Sequence, residues 1–282
     1  MMLPLPAVFS STRWVPELRG PFALLLVLLS ASQTHAQSLE YFSLQMRWLP
    51  GQCLVDPELA ACEGLSLQNP QGRNLTLIGL RPMARPGSTQ MKNCDPMARA
   101  FTTPTISPED KVTTCSLPEV KLSANLRAEL AALMPDIAAC PERAFWSAYG
   151  ACALLSPEHY FERAVSRAQD LQHSLLNIAV AGAMGQRISR QVLADAFEQQ
   201  FGPETGRSLQ LICAKSKQNS QSVLTELRVA INQLGSMRPL NDAALWYPQG
   251  AAFQDRCPAE FLVAEPGVEE PPIPQRDPFP QP

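Results

Sequence analysis

Two short segments carry the side chains best suited to chemistry in this chain. The first, Leu77-Ile78-Gly79-Leu80-Arg81-Pro82, holds Arg81, and Arg85 follows shortly after. The second runs Glu142-Arg143-Ala144-Phe145-Trp146-Ser147-Ala148-Tyr149-Gly150-Ala151-Cys152 and brings Phe145, Trp146 and Tyr149 close together. A flat ring can stack on a nucleobase and a guanidinium can meet a phosphate. Arg81, Arg85, Phe145 and Tyr149 are therefore the candidate ligand-binding set, with RNA or a nucleotide as the ligand. A plainer reading stands beside it, in which Ile78, Phe145 and Tyr149 are apolar bulk that packs a cleft shut.

Proton transfer is poorly served. Beyond Ala36 the histidines are His159 and His173. Both fall on one expected helix, 14 residues apart. At 1.5 Å per residue they stand about 21 Å apart along its axis, so both cannot touch one phosphate. A phenol is a poor base at neutral pH, so Tyr149 is a weak substitute for an imidazole. Cys53, Cys62, Cys94, Cys115, Cys140, Cys152, Cys213 and Cys257 include no C-x-x-C pair and have no histidine at ligand spacing. Neither a metal nor another cofactor is expected from them.

Export explains those cysteines better. Arg13 and Arg19 precede an apolar run from Phe22 to Leu29, and Thr34-His35-Ala36 offers small residues for cleavage. That pattern reads as a signal peptide over residues 1–36, with the mature protein periplasmic or secreted. An even cysteine count in an exported chain points to disulfides. The apolar run is shorter than the roughly 20 residues that span a bilayer, and no later segment qualifies. With 23 Lys and Arg against 26 Asp and Glu, the net charge is −3. This excludes a strongly basic surface for tight, nonspecific nucleic-acid binding, but not a cleft that takes a few nucleotides.

Several elements must position these residues. Tyr41 to Trp48 alternates apolar and polar side chains and reads as a half-buried strand, with Leu75 to Leu80 a second strand. Residues 54–74 and 81–114 read as irregular. Ser123 caps a helix carrying Leu126, Leu130, Leu133 and Met134; Pro141 opens another through the second segment. Pro157 starts a third, with Tyr160, Phe161, Ala164, Val165, Ala168 and Leu171 on one side, and Ser189 caps a fourth that ends at Gly202-Pro203. Leu209 to Ala214 and Val223 to Ile231 form a hairpin, and Phe261 to Ala264 a last strand. Strands flanking a helical middle make an α+β domain over residues 37–264. A Pro-rich, acidic tail over 265–282 lacks core-forming content. Asn74-Leu75-Thr76 matches a glycosylation sequon but falls where a strand should be buried, and is read as chance.

The ordered set of segments resembles the ribonuclease T2 family, in particular its bacterial periplasmic branch. Members carry a segment of the form H-G-L-W-P and a second ending E-x-x-K-H-G-x-C. The present chain matches their frame with the two segments above. It adds Trp48-Leu49-Pro50-Gly51-Gln52-Cys53, Cys115-Ser116, Met134-Pro135, Tyr160-Phe161 and the terminal cysteines Cys213 and Cys257. The resemblance spans roughly residues 39–266. It implies a central antiparallel sheet flanked by helices and metal-independent cleavage of RNA through a 2′,3′-cyclic phosphate. It also implies disulfides Cys53–Cys140, Cys94–Cys152 and Cys213–Cys257, which leaves Cys62 to Cys115.

In the same comparison Ile78 stands at the first histidine position and Arg81 at the tryptophan position. Phe145, Ala148 and Tyr149 stand at the glutamate, lysine and second histidine positions. The family chemistry relies on a proton acceptor, a proton donor and support for a charged phosphorane. The resemblance therefore implies no catalytic residues in this chain and favours a pseudoenzyme that binds RNA, a nucleotide or a protein. Two alternatives are an active endoribonuclease with relocated groups, and an interaction protein that uses another face or the Pro-rich tail.

Overall fold

The computed structural model describes residues 39–85, 91–95, 114–217, 219–249 and 253–267. The expected signal peptide, most of the 81–114 stretch and nearly all of the tail lie outside the described residues.

Strand alternation lays down the sheet. In β1 (Leu39–Arg47), Phe42, Leu44 and Met46 point into the core, while Tyr41, Ser43 and Gln45 point to the other face. Strand β2 (Thr76–Ala84) pairs antiparallel with β1, matching Leu44 with Leu80 and Ser43 with Arg81. The register skips at Ile78, between Gln45↔Gly79 and Met46↔Leu77, which is a β-bulge. Such an extra residue bends the strand and re-aims the side chains beside it.

On the other side of β1 lies β5 (Ser222–Asn232), also antiparallel; β4 (Leu209–Lys215) pairs with β5 as the expected hairpin. Short β6 (Glu260–Leu262) meets β5 in parallel through Val223↔Leu262, and β3 (Arg187–Ser189) closes that edge. The strand path is β2-β1-β5-β6-β3, with β4 on β5.

Helices cover the core face of the sheet. Helix α1 (Leu49–Val55) follows β1 and runs just into the stretch read as irregular, where the single turns Ala60–Cys62 and Pro70–Gly72 also lie. Helix α2 (Ala124–Leu133) starts at Ser123, whose Oγ accepts the Leu126 N–H. Helices α3 (Pro141–Ala148) and α4 (Pro157–Gln172) both begin with proline, which suits a first turn that lacks N–H partners. The six apolar residues expected on one side of α4 are all buried against the sheet. Burying each large one contributes about 1.5–3 kcal/mol. Helices α5 (Leu175–Gly182) and α6 (Arg190–Phe201) complete the layer. No helix of the described residues is long and apolar enough to cross a membrane.

Four disulfides join the eight cysteines. Cys94–Cys152 and Cys213–Cys257 agree with the expectation. The other two correct it: Cys53 bonds Cys62, and Cys115 bonds Cys140. The reason is local. The chain turns back after α1, so Cys62 comes within 5.6 Å of Cys53, Cα to Cα. The turn Thr114–Ser116 is tied to α3 by Arg143, whose Nη1 donates to the carbonyls of Cys115 and Leu117. That holds Cys115 beside Cys140, the residue just before α3. Asn74 is likewise engaged, bonding Pro70 O and Asn177.

Candidate functional site

The site is built where α3 crosses the bulge of β2. Tyr160, on α4, holds the strand in place from the core side. Its hydroxyl donates to Leu80 O at 2.8 Å and accepts from Leu80 N at 3.3 Å, so both backbone groups of this edge-strand residue are satisfied. Burial raises the Tyr160 pKa well above that of a free phenol. The hydroxyl is thus a fixed structural donor.

On the opposite face of the strand, Phe145 lies on Gly79. A Cβ at Gly79 would stand 2.4 Å from two atoms of the Phe145 ring, so glycine is what admits it. The Phe145 ring meets Tyr149 edge-on at 5.3 Å, and the Arg81 guanidinium carbon lies 4.1 Å from the centre of the Tyr149 ring. Gly79, Phe145, Tyr149 and Arg81 therefore form one continuous line of contacts beside β2. Trp146 points the other way, onto Tyr160 and Phe161, and Gly150 leaves room for it.

A cavity of about 380 Å³ remains beside this line. Leu77, Ile78, Ala144, Phe145, Ala148 and Tyr149 supply its apolar wall. Its charged members are Arg47 and Asp136, paired at 3.3 Å (Nη1 to Oδ2). Sequence reasoning missed this pair, whose members are 89 residues apart; the one signal was that Arg47 shares the strand face of Ser43 and Gln45. The cavity can hold a flat or apolar group and present one ion pair to a polar one. Among the described residues, no imidazole lines it.

The structure brings Arg81, Phe145 and Tyr149 together, but not as a free stacking platform. Phe145 is only 9% exposed, with its ring against Gly79. One face of Tyr149 is already covered by Arg81. Arg85 lies exposed just past β2 and is not part of the cavity wall. Apolar bulk thus fills some of the cleft, and space remains beside it. His159 and His173 stand at opposite ends of α4, His173 as its C-cap, and neither lines the cavity. Among the described residues, no group of His, Cys, Asp and Glu could hold a metal ion.

Comparison with solved structures gives the same architecture. Ribonuclease MC1 from bitter gourd seeds superposes with a TM-score of 0.52 at 21% identity, covering 79% of this chain and 99% of that one. A mutant of RNase MC1 in complex with 5′-UMP gives 0.53 at 22%, with 80% and 98% covered. RNase NT in complex with 5′-AMP gives 0.53 at 14%, with 81% and 100% covered. At these identities the likeness concerns the fold alone. No curated protein matches. The family model described as Ribonuclease T2 family matches residues 39–239, most of the chain, and on that ground the chain belongs to the ribonuclease T2 family.

Proposed function

We propose that this protein is an exported, non-cleaving member of the family that binds RNA or a nucleotide. One observation carries the reading. Ile78, Phe145, Ala148 and Tyr149, which the resemblance sets at the four positions that handle protons and charge, all line the cavity where α3 meets the bulge, and both histidines lie outside it on α4. Transfer of a phosphodiester to a 2′-hydroxyl needs one group to take a proton and another to give one. Removing a single such group costs about 10²–10⁴ in rate. Binding needs only surface, and the cavity with Arg47 and Arg81 near it supplies that. The 5′-UMP and 5′-AMP complexes of the two similar ribonucleases support a nucleotide as ligand.

The bacterial, periplasmic setting is part of this proposal, as are removal of residues 1–36 and a Pro-rich tail after the domain. Four disulfides fit an oxidising compartment. Mass spectrometry of the exported protein should find Gln37 at its N-terminus.

The deciding experiment is an RNA cleavage assay on oxidised protein between pH 4 and 8, with nucleotide titration alongside. Binding without cleavage is expected. Cleavage that survives His159→Ala and His173→Ala together but is lost in Tyr149→Phe or Asp136→Asn would overturn the reading.

A further inference from the structure

Beyond β2 and α3, the cavity at Ile78 is closed by Thr114, Met134, Asp136 and Ala139. Two of these sit next to one disulfide: Thr114 precedes Cys115 and Ala139 precedes Cys140. The bridge therefore fixes the spacing of two residues that line the cavity. Hydrogen bonds tie the same turn. Thr114 Oγ1 donates to Ala139 O, and Arg143 Nη1 donates to Cys115 O at 2.9 Å and to Leu117 O at 3.1 Å. Water competes for bonds so near the surface, whereas the covalent link opens only to a reductant.

Access singles out this bridge. Thiol–disulfide exchange needs a thiolate to reach a sulfur. Of the eight cysteines, Cys115 is the exposed one. Cys152 is 1% exposed, which shields the Cys94–Cys152 bridge on that side, and the members of the other two bridges are half-buried.

The surroundings also suit the leaving sulfur. Cys140 is the residue just before α3, where the start of a helix favours a thiolate. Glu142 in the first turn works against this, but its Oε1 faces Arg143 Nε at 3.6 Å. Cys140 has φ 56° and ψ 43°, a left-handed conformation that glycine takes freely and other residues take at a cost. Glycine would suit the backbone there but could not form the bridge.

We propose that Cys115–Cys140 is a reducible clamp on the cavity, opened by a dithiol. A thiolate of the dithiol attacks Cys115 Sγ, and the electron pair of the broken S–S bond leaves on Cys140 Sγ. The second thiol then attacks the mixed disulfide and expels Cys115. The products are two cysteine thiols, which carry the two protons of the dithiol, and the dithiol's own disulfide. Thr114 and Ala139 are then no longer held at a fixed spacing. A wall that must be reordered on binding weakens the complex, so reduction releases the ligand. This regulation rests on the nucleotide-binding reading above.

The test has three arms. In the first, the native oxidised protein is treated with dithiothreitol, alkylated at intervals and mapped by mass spectrometry. Label should reach Cys115 and Cys140 at least about tenfold faster than the other six cysteines. Another bridge opening first, or all four opening together, would overturn the proposal. In the second, two variants stand for the open form, Cys115→Ser with Cys140→Ser and Cys115→Ser with Cys140→Gly. The second suits the backbone at residue 140, and circular dichroism will check that each folds. Amide exchange at Leu117, Ala139 and Cys140, whose N–H groups bond Thr114 O, Asp136 O and Ile137 O, should rise about tenfold or more. Unchanged exchange would show that the bridge does not hold the wall. In the third, calorimetry with 5′-AMP should show binding about tenfold weaker in both variants than in the oxidised protein. Equal affinity would refute the control of binding while leaving the nucleotide reading intact. If 5′-AMP binds to none of them, the nucleotide reading and the release of a nucleotide fall, and the first two arms still decide whether the clamp exists.

Discussion

Gly79→Ala tests whether the Phe145 ring occupies the cleft as described. The new methyl carbon would lie 2.4, 2.4 and 2.7 Å from three ring atoms of Phe145. Carbon pairs are most favourable at about 3.5–4.0 Å, so the ring must retreat by more than 1 Å. It cannot do so freely, because it is buried and meets Tyr149 edge-on. Overpacking of this kind costs about 1–3 kcal/mol. Phe145→Ala alone should cost up to about 3–5 kcal/mol, at the lower end because the ring fronts a cavity. In the Phe145→Ala background the obstacle is gone, and alanine then replaces glycine in a strand with a gain of about 0.5–1 kcal/mol.

The double variant should therefore be more stable than the sum of the single effects predicts, by about 1–3 kcal/mol. Urea unfolding of the oxidised protein measures this through the midpoints, provided the slopes agree. Effects that add within about 0.5 kcal/mol would show that the two residues do not meet. The ring would then have to be placed elsewhere, and with it the apolar wall of the cavity.

Tyr160→Phe removes the clasp on Leu80 and should cost about 1–3 kcal/mol in the same assay, because a buried N–H and C=O lose their partner. The protein should also weaken in alkali. The folded Tyr160 pKa is raised above the ordinary 10.0, so its stabilising effect is complete below pH 10 and is lost as pH rises further. Above that point the unfolded chain binds fewer protons than the native one, and stability should fall by up to about 1.4 kcal/mol per pH unit from this group. Tyr160→Phe should flatten the decline; an unchanged slope would refute the assignment. Peptide mapping should recover Cys53 with Cys62 and Cys115 with Cys140. Serine replacement of the Cys94–Cys152 pair, which spans 58 residues, should cost more than replacement of Cys53–Cys62, which spans 9. The chain-entropy model puts the two at about 4 and 3 kcal/mol.

What the sequence revealed depended on how far each signal reaches. Alternation is local, so β1, β2 and the β4–β5 hairpin could be read directly, as could the buried side of α4 from its helical period. The bulge at Ile78 could not. It is a mismatch between two strands, and Gln45 and Met46, its counterparts, lie more than 30 residues earlier. Helix α1 was not foreseen; Gly51 is there because a Cβ would run into Leu224 O at 1.9 Å, a contact set by β5. The Cys53–Cys62 bridge was missed for the opposite reason. It closes a short local loop, but a pairing carried over from distant relatives sent Cys53 to Cys140. The Arg47–Asp136 pair joins elements that only the fold brings together.

The same division separates what this chain keeps from what it lacks. The Tyr160 clasp ties β2 to α4, the glycine under Phe145 lets α3 close on β2, and the Trp48 Nε1 bond to Ala264 O at 2.9 Å ties the end of β1 to the chain after β6. These contacts are structural, and they act whether or not a proton is ever moved. Around the bulge the charged side chains are engaged, Arg47 with Asp136 and Arg228 with Glu226, while the Arg81 guanidinium lies over the Tyr149 ring. Fixed positive charge stabilises an anion that arrives already formed; it does not generate an alkoxide or protonate a leaving oxygen. On the reading proposed above, nucleotide binding should therefore be measurable in this protein without cleavage.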